Sequence, residues 1–286
     1  MSVAYLNGEW GLVENMRVPV LDRGFLFGDG VYEVIPVYGG RLFRLYEHLT
    51  RLEHSLEGAR ITRPWLQTQW VDLLEDLVQR SGDSEPAVYL QVTRGVAARA
   101  HPFPRKTTPT VFAMGLPRAK RHPQGGGISA VVREDNRWGR CDIKAITLLA
   151  NVLLQQEAID AGAAESILVR DGSLTEGASS NVFVVHEGQV LTPPVGPRLL
   201  AGITRALVLE LASEAGVVCA EQPVSLAVLR QASEVWLTAS TMEMVPVVRI
   251  DGKVVGDGRP GPVWKKLSQL FQDYVLATHR VAHSAR

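Results

Sequence analysis

The chain has 286 residues, of which 46% are hydrophobic and 21% charged, and its 30 basic side chains balance 30 acidic ones. This length predicts one large domain or two ordinary ones, with ample apolar material for a core. Balanced charge without long runs of one sign argues against nucleic-acid binding and against a polybasic membrane patch. Two cysteines, Cys141 and Cys219, are too few for a disulfide framework, and the N-terminal residues lack signal-peptide features. We therefore expect a reduced, cytoplasmic protein that holds no metal and stays out of the membrane.

The first part of the chain alternates short strand patterns with helical ones. Asn7-Gly8 separates two apolar runs and favours the positive φ angles of a type I′ hairpin. Gly39-Gly40 marks a second hairpin in the same way. The apolar spacing then predicts helices at residues 45–59 and 67–78, and strands at 87–93 and 110–114.

Residues 116–127 are rich in proline, glycine and charge, which is typical of a segment between domains. The second part of the chain is predicted to contain a strand at 128–133, an apolar helix at 146–161, strands at 166–170, 181–186 and 190–192, a helix at 204–215, a strand at 235–238, a hairpin at Asp251-Gly252 and a helix from Val263.

Strands in this sequence occur in hairpins more often than in βαβ units, so the pattern predicts an α+β protein with two domains. We place a smaller N-terminal domain at residues 1–118, an interdomain linker at 119–126 and a larger, β-rich C-terminal domain at 127–286, the last carrying Lys144.

Several common catalytic motifs are missing or stand in the wrong context. The G-x-G-x-x-G at residues 256–261 contains Pro260 and is followed by too little chain for a dinucleotide-binding unit, so we interpret it as a hairpin loop. His48 and His54 are not spaced to share a ligand on a helix, and we interpret both as surface residues. No P-loop, nucleophile elbow or H-E-x-x-H occurs, which disfavours P-loop phosphotransfer, serine hydrolysis and zinc proteolysis.

Lys144 differs from the other lysines because it directly precedes an apolar run at residues 148–154. Partial burial would disfavour its ammonium form and prepare the amine to attack a carbonyl. A lysine that extends from a helix start to solvent is the alternative interpretation. The remaining lysines lie in polar surroundings and are Lys106, Lys120, Lys253, Lys265 and Lys266.

Two further features match the needs of one cofactor. Glu176 stands in a predicted loop among small hydroxyl residues, where it is either a solvated carboxylate or the partner of a protonated ring nitrogen. Thr204 opens an amphipathic helix whose first amides form an anion seat, although helix capping is the commoner use of such a threonine. Ser240 and Thr241 add hydroxyls after a strand. An amine nucleophile, a ring acid and a phosphate seat are what pyridoxal phosphate requires from a protein.

Segments spread over essentially the whole chain resemble motifs of the pyridoxal-phosphate enzymes of fold type IV, the family of the D-amino-acid, branched-chain and aminodeoxychorismate enzymes. They are residues 22–25 (DRGF), 28–33 (GDGVYE), 141–144 (CDIK), 175–181 (TEGASSN) and 202–205 (GITR). The resemblance implies the two-domain architecture of fold type IV, with the active site between the domains, and pyridoxal 5′-phosphate as cofactor.

The resemblance also implies roles for individual residues. Lys144 would bind the cofactor covalently and move a proton between the substrate Cα and the cofactor C4′, Glu176 would contact the ring nitrogen, and Leu200 would pack on the ring. The residues implied to hold the phosphate are Arg51, Ile203, Thr204, Ser240 and Thr241, with Arg137 and Ser179 in support.

Residues 92–95 (VTRG) and 99–104 (RAHPFP) resemble the D-amino-acid aminotransferases within this family. Arg99 and His101 stand at i and i+2, so in extended chain they point to one side and offer fixed donors to a carboxylate. The resemblance adds the Tyr32 hydroxyl to this carboxylate site, and implies a homodimer in which Arg99 and His101 reach the neighbouring subunit's site.

The predicted function is transamination of D-amino acids, such as D-alanine or D-glutamate, with pyruvate or 2-oxoglutarate by a ping-pong mechanism. A branched-chain L-amino-acid aminotransferase or an aminodeoxychorismate lyase is the alternative of the same fold, and the Arg99-x-His101 pair argues against both. A non-catalytic cofactor-binding protein is disfavoured because Lys144 and Glu176 are both present. The sequence departs from residues common in the family at Ala145, Thr147 and Ala178. These departures leave Lys144 and Glu176 themselves unchanged.

Overall fold

A computed structural model describes residues 2–82, 85–117 and 126–280 of the chain, with side chains to residue 278. The chain forms two compact units, of which unit 1 comprises Met1–Ala119 with Ile143–Leu148 and unit 2 comprises Lys120–Asp142 with Leu149–Arg286. The predicted linker at 119–126 lies, apart from Gly126, outside the described residues. The predicted domain bounds stay a prediction. The segment Ile143–Leu148, which contains Lys144, was predicted to lie in the C-terminal domain but clusters with unit 1.

Unit 1 is built on an antiparallel sheet. Its described strands are β1 (Val3–Leu6), β2 (Glu9–Leu12), β3 (Gly30–Tyr38), β4 (Arg41–Leu42), β5 (Ala87–Thr93) and β6 (Thr110–Leu116). They are ordered β2-β1-β6-β5-β3-β4. The predicted Asn-Gly hairpin is confirmed, since β1 pairs with β2 and both Asn7 and Gly8 have positive φ angles.

Helices of unit 1 cover the sheet with their apolar sides. The described helices are the short α1 (Arg23–Phe27), α2 (Leu45–Gly58) and α3 (Gln67–Ser81), besides a 3-10 turn at Val13–Asn15. Leu49 and Leu52 of α2 and Trp70 of α3 are fully buried in one core with Val88 and Leu90 of β5. The predicted helices at 45–59 and 67–78 are therefore confirmed. The core forms where the apolar face of each helix packs against the inward-pointing side chains that alternate along the strands.

The segment Ile143–Leu148 runs beside the start of β3 and is not helical. The Tyr32 amide donates to the Lys144 carbonyl at 3.0 Å, and the Ile146 amide donates to the Gly30 carbonyl at 3.0 Å. The predicted helix at 146–161 was thus wrong at its start, and the helix begins at Leu149. The free side of β3 satisfies these backbone groups, which removes the need for a helical turn.

Unit 2 contains a larger mixed sheet. Its described strands are β7 (Ile128–Glu134), β8 (Glu165–Arg170), β9 (Ser173–Gly177), β10 (Asn181–His186), β11 (Gln189–Thr192), β12 (Cys219–Glu221), β13 (Glu234–Ala239), β14 (Glu243–Ile250) and β15 (Lys253–Val254). The order is β12-β11-β10-β13-β14-β7-β8-β9, with β15 added beside β14. Its described helices are α4 (Leu149–Asp160), α5 (Ile203–Glu214), α6 (Leu226–Gln231) and α7 (Pro262–Arg280).

The connections of unit 2 are mostly hairpins, as the α+β prediction requires, with two βαβ units among the described residues, one of which joins the parallel strands β11 and β12 through α5. Strands β7 and β8 are parallel and joined through α4, while β8 and β9 are antiparallel. The prediction that Glu176 lies in a loop was wrong, because it lies within β9. Within the residues described, no helix is both long and apolar enough to cross a membrane.

Candidate active site

Lys144 and Tyr32 lie together in unit 1. Lys144 is half-buried, whereas the other lysines within the described ranges are exposed. Its Nζ lies 4.2 Å from the centroid of the Tyr32 ring, and its backbone amide donates to Ser55 Oγ at 3.1 Å. Tyr32 in turn stacks on Tyr89, with ring centroids 5.8 Å apart. The backbone pairing to β3 and these contacts place the lysine amine against a tyrosine face, as expected for a positioned nucleophile.

Arg51 is held by a buried carboxylate. Glu33 Oε1 accepts from Arg51 Nε at 2.8 Å and Glu33 Oε2 accepts from Arg51 Nη2 at 2.7 Å. Burial alone would raise the pKa of Glu33, but the charge and hydrogen bonds of Arg51 and a hydrogen bond from His48 outweigh it, and the pKa is strongly lowered. This bidentate pair fixes the plane of the guanidinium, which a phosphate-binding arginine requires.

The prediction that His48 is a surface residue was wrong. Its side chain is fully buried, and Nδ1 lies 2.8 Å from Glu33 Oε2. Burial lowers its pKa, against the opposing effect of Glu33, so the ring is neutral near pH 7 and Nδ1 donates. Nε2 is buried and has no hydrogen-bond partner among the described residues. The missed signal was position: His48 lies one helical turn from Leu45, Leu52 and Arg51, on the buried side of α2.

Arg99 and His101 lie in the connection between β5 and β6, and both are exposed. We name residues 99–101 the carboxylate loop. Arg99 Cζ lies 5.3 Å from the centroid of the Phe27 ring, and the His101 ring meets Phe27 edge to face at 5.7 Å. The structure thus brings the two predicted carboxylate donors together on one ring. Among the hydrogen bonds and ion pairs of the described residues, none joins this pair to Tyr32 or Lys144.

Glu176 is the centre of a buried polar network in unit 2. Its Oε1 accepts from Arg137 Nη1, and its Oε2 accepts from the Leu200 amide at 2.9 Å and from Asn181 Nδ2 at 3.2 Å. Asn181 also donates to the Leu200 carbonyl at 2.9 Å. Charged and neutral donors together hold this carboxylate in one orientation, which suits a partner for a protonated ring nitrogen.

Arg137 is oriented from behind by Asp135, which accepts at both carboxylate oxygens from Nε and Nη2, each at 2.9 Å. Burial alone would lower the pKa of Arg137, but Asp135 and Glu176 raise it. Ser179 is occupied elsewhere, since its Oγ donates to Glu165 at 2.7 Å. The structure therefore places Arg137 behind Glu176 and gives Ser179 a carboxylate partner.

The start of α5 and the end of β13 supply neutral donors. Gly202 precedes α5 and offers no side-chain cap, so the first amides, those of Ile203 and Thr204, have no partner from the helix itself. Ser240 and Thr241 directly follow β13. Thr238 Oγ1 is buried without a partner in the structure.

These donors fit pyridoxal phosphate. In unit 2, a helix N-terminus with hydroxyls suits a phosphate, the Glu176 carboxylate suits a ring nitrogen, and the Thr238 hydroxyl, which has no partner among the described residues, can still accept or donate a bond. In unit 1, Lys144 offers an amine and Arg51 a fixed guanidinium. The chemistry of the donor sets is therefore that of the predicted cofactor.

Known proteins are similar to this chain over nearly its whole length. A family model described as amino-transferase class IV matches residues 30–250. The D-alanine aminotransferase of Bacillus licheniformis is 43% identical over 261 residues, which cover 91% of this chain and 92% of that protein. The D-alanine aminotransferase of Staphylococcus haemolyticus is 36% identical over 280 residues, covering 96% and 98%.

Solved structures agree. The branched-chain amino acid aminotransferase of Escherichia coli is similar with a TM-score of 0.88 and 28% identity, covering 95% of this chain and 93% of that one. The branched-chain aminotransferase of the thermophilic archaeon Thermoproteus uzoniensis, solved with norvaline, has the same fold, with a TM-score of 0.85, 24% identity and coverage of 96% and 95%.

The fold is therefore that of the pyridoxal-phosphate enzymes of fold type IV, as the resemblance implied. The chain belongs to the class IV aminotransferase family, whose cofactor is pyridoxal phosphate. Its substrates are accordingly amino acids and oxo acids.

Proposed function

We propose that this enzyme transfers the amino group of D-amino acids, such as D-alanine or D-glutamate, to 2-oxo acids such as pyruvate or 2-oxoglutarate. The observation that carries the proposal is that Arg99 and His101 both contact the ring of Phe27. A guanidinium and an imidazole on a common support offer two fixed donors to one carboxylate. The similarity to D-alanine aminotransferases over nearly the whole chain supports the same substrate class.

When bound, pyridoxal phosphate supplies a carbonyl that combines with amines and a ring that accepts electron density. Lys144 Nζ would hold the cofactor and would take up the proton that leaves the substrate Cα. Glu176 would contact the ring nitrogen and favour its protonated form, and Leu200 would lie against the ring. The residues we propose for the phosphate are Arg51, Ile203, Thr204, Ser240 and Thr241, with Arg137 orienting Glu176 and Ser179 acting through Glu165.

Borohydride reduction followed by peptide mapping tests the role of Lys144. We expect the label on Lys144, because it is the half-buried lysine of the described chain. Lys144→Ala should abolish transamination and leave the cofactor bound without a covalent link, while Lys265→Ala, at an exposed position, is the control. A label on Lys265 or any other lysine would refute the assignment.

Substrate handedness tests the function itself. The place of the α-carboxylate relative to Lys144 decides which enantiomer presents its α-hydrogen to the amine, and we propose that Arg99, His101 and the Tyr32 hydroxyl bind that carboxylate. We expect turnover of D-alanine and not of L-leucine. Arg99→Ala should lower kcat/KM for D-alanine roughly 30- to 1,000-fold, since a charge-assisted pair contributes about 2–4 kcal/mol. Preferred use of L-leucine would favour the branched-chain alternative, which the Arg99 and His101 pair fits less well.

We also propose that the enzyme is a homodimer in which Arg99 and His101 serve the neighbouring subunit. Exposed apolar side chains on α4 support an apolar interface: Leu149 is 72% exposed, Val152 60% and Leu153 53%. Leu153→Glu should shift the sedimentation coefficient toward the monomer, whereas Leu276→Glu, at a residue 52% exposed on α7, should not.

Mixing two inactive variants tests whether the loop acts between subunits. In a mixed dimer of Lys144→Ala and Arg99→Ala chains, one site receives an intact lysine from one subunit and an intact arginine from the other. We therefore expect activity to return on mixing. No recovery, with mixed dimers present, would mean that the loop serves its own subunit.

A cytoplasmic location completes the proposal. Both cysteines are free thiols, which fits a reduced compartment. Cell fractionation with a tagged chain would test it, and recovery from the medium or periplasm would refute it.

A further inference from the structure

Arg23, in the DRGF motif, contacts the backbone of the carboxylate loop. It is 4% exposed and begins α1. Its Nη1 donates to the Ala100 carbonyl at 2.6 Å and its Nη2 to the His101 carbonyl at 3.3 Å. One buried guanidinium thus binds two successive carbonyls of the loop that carries Arg99 and His101.

Asp29 holds this guanidinium in place. Its Oδ2 accepts from Arg23 Nε at 2.7 Å and from Arg94 Nε at 2.8 Å. Burial alone would raise the pKa of Asp29, but the hydrogen bonds and charges of Arg94 and Arg23 outweigh it and lower the pKa. The carboxylate therefore stays ionised, and Arg23 has a fixed counter-charge.

Asp22, the residue before α1, is also held by several hydrogen bonds. Asp22 is fully buried and accepts from the Gly24 amide at 2.7 Å, from Thr110 at 2.6 Å and from Thr93 at 3.0 Å. These bonds tie the start of α1 to the end of β5 and the start of β6. The backbone of Arg23 is thereby fixed relative to both ends of the connection that contains the carboxylate loop.

Phe27, at the other end of α1, completes the contact. Its ring centroid lies 4.8 Å from Arg23 Cζ and 5.3 Å from Arg99 Cζ, and it meets His101 edge to face. Arg99 and His101 are exposed and have no ion pair among the described residues. Their placement therefore depends on the loop backbone and on this one ring.

We propose that Arg23 and Phe27 are positioning residues for recognition of the substrate carboxylate, acting through the carboxylate loop. The inference rests on the proposed function of Arg99 and His101. Arg23 sets the path of the backbone at residues 100 and 101, and Phe27 sets the directions of the two donor side chains. Neither residue needs to touch the substrate.

The test compares Arg23→Gln and Phe27→Leu with wild type as holoenzymes. Propionate serves as the carboxylate probe, and its binding is followed through the absorption of the cofactor. We expect propionate affinity and KM for D-alanine to worsen roughly 10- to 100-fold, with a smaller change in kcat, because a misplaced charged donor loses most of its hydrogen bond. Cofactor affinity should not change, and this readout excludes general damage to the site.

Arg94→Gln is the matched control. Arg94 shares Asp29, but its other bonds go to the carbonyls of Ala59 and Arg60, and it packs on Phe103 rather than on the carboxylate loop. It should lower the melting temperature as Arg23→Gln does while propionate binding stays close to wild type. Equal loss of propionate binding in both variants, or wild-type binding in Arg23→Gln, would overturn the inference.

Two further outcomes are also decisive. If Arg23→Gln does not fold, Phe27→Leu alone tests the inference, since it keeps every hydrogen bond of Arg23, and unchanged propionate binding in it would refute the role of the ring. If Arg99→Ala leaves propionate binding unchanged, the proposed function fails at the carboxylate site itself. The two failures are therefore distinguishable.

Discussion

At the scale of single residues, the carboxylate of Glu176 shows how a polar group is prepared inside the protein. A charged donor, Arg137, and two neutral donors, the Leu200 amide and Asn181, contact its two oxygens. Such a carboxylate is held in one orientation, and reversing its charge would place a cation beside Arg137.

Substituting Glu176 tests this interpretation. Glu176→Lys should lower the rate with D-alanine by at least about 30-fold, because breaking a buried charge pair costs about 2–5 kcal/mol or more. Glu176→Asp keeps the charge and lengthens the contact, so we expect roughly a tenfold loss. Steady-state rates and the absorption spectrum of the bound cofactor measure both effects. Equal turnover by the two variants would mean that Glu176 does not serve the ring nitrogen.

At the scale of elements, the junction between Gly202 and the start of α5 is packed against β10. A Cβ at Gly202 would lie 1.9 Å from Asn181 Oδ1, and Asn181 is buried and bonded to Glu176. Because Gly202 has no side chain, the start of α5 lies close to β10, and the Asn181 amide donates both to Glu176 and to the Leu200 carbonyl.

Gly202→Ala should displace Asn181 and weaken cofactor binding by roughly tenfold, since a buried hydrogen bond to a charged group contributes about 1.5–3 kcal/mol. Gly139→Ala is the control, because a Cβ there meets nothing within 4 Å. Titration of the apoenzyme with pyridoxal phosphate measures the affinity, and thermal unfolding reports the stability. Wild-type affinity in Gly202→Ala would show that Asn181 is not needed to hold Glu176.

At the scale of the whole molecule, buried carboxylates make stability depend on pH. Arginine partners outweigh burial and lower the pKa values of Glu33, Asp29 and Asp135. A carboxyl whose pKa is lower in the folded protein stabilises it above its ordinary pKa, and this contribution is lost as the pH falls toward the folded-state value. The lowered pKa of His48 extends the loss upward to about its ordinary value of 6.5.

We therefore expect the free energy of unfolding in urea, measured at one protein concentration, to fall as the pH is lowered below about 6.5 and more steeply below about 4.5. Glu33→Gln should destabilise the protein by about 3–5 kcal/mol at pH 7, because it removes one charge of a buried ion pair with Arg51. It should also make the free energy of unfolding fall less steeply as the pH is lowered below about 4.5. Curves for wild type and Glu33→Gln that run parallel down to pH 3 would contradict the assigned role of Glu33.

Local patterns were enough to predict much of this molecule. The Asn7-Gly8 and Gly39-Gly40 turns, the helices α2 and α3, and most strands of the larger sheet depend on short-range spacing and turn chemistry, which can be read in order along the chain. The motifs around Lys144 and Glu176 were likewise enough to predict the family and the cofactor.

Tertiary structure decided the features that depend on remote partners. Glu176 lies in a strand because β9 pairs with β8, and the segment containing Lys144 is extended because β3 has backbone groups to pair with it. His48 is buried because Glu33, on a strand, faces it from across the core. Arg23 binds the carboxylate loop from 77 residues away. Propensity is a property of neighbours in sequence, whereas these contacts satisfy hydrogen-bonding groups that only the folded chain brings together.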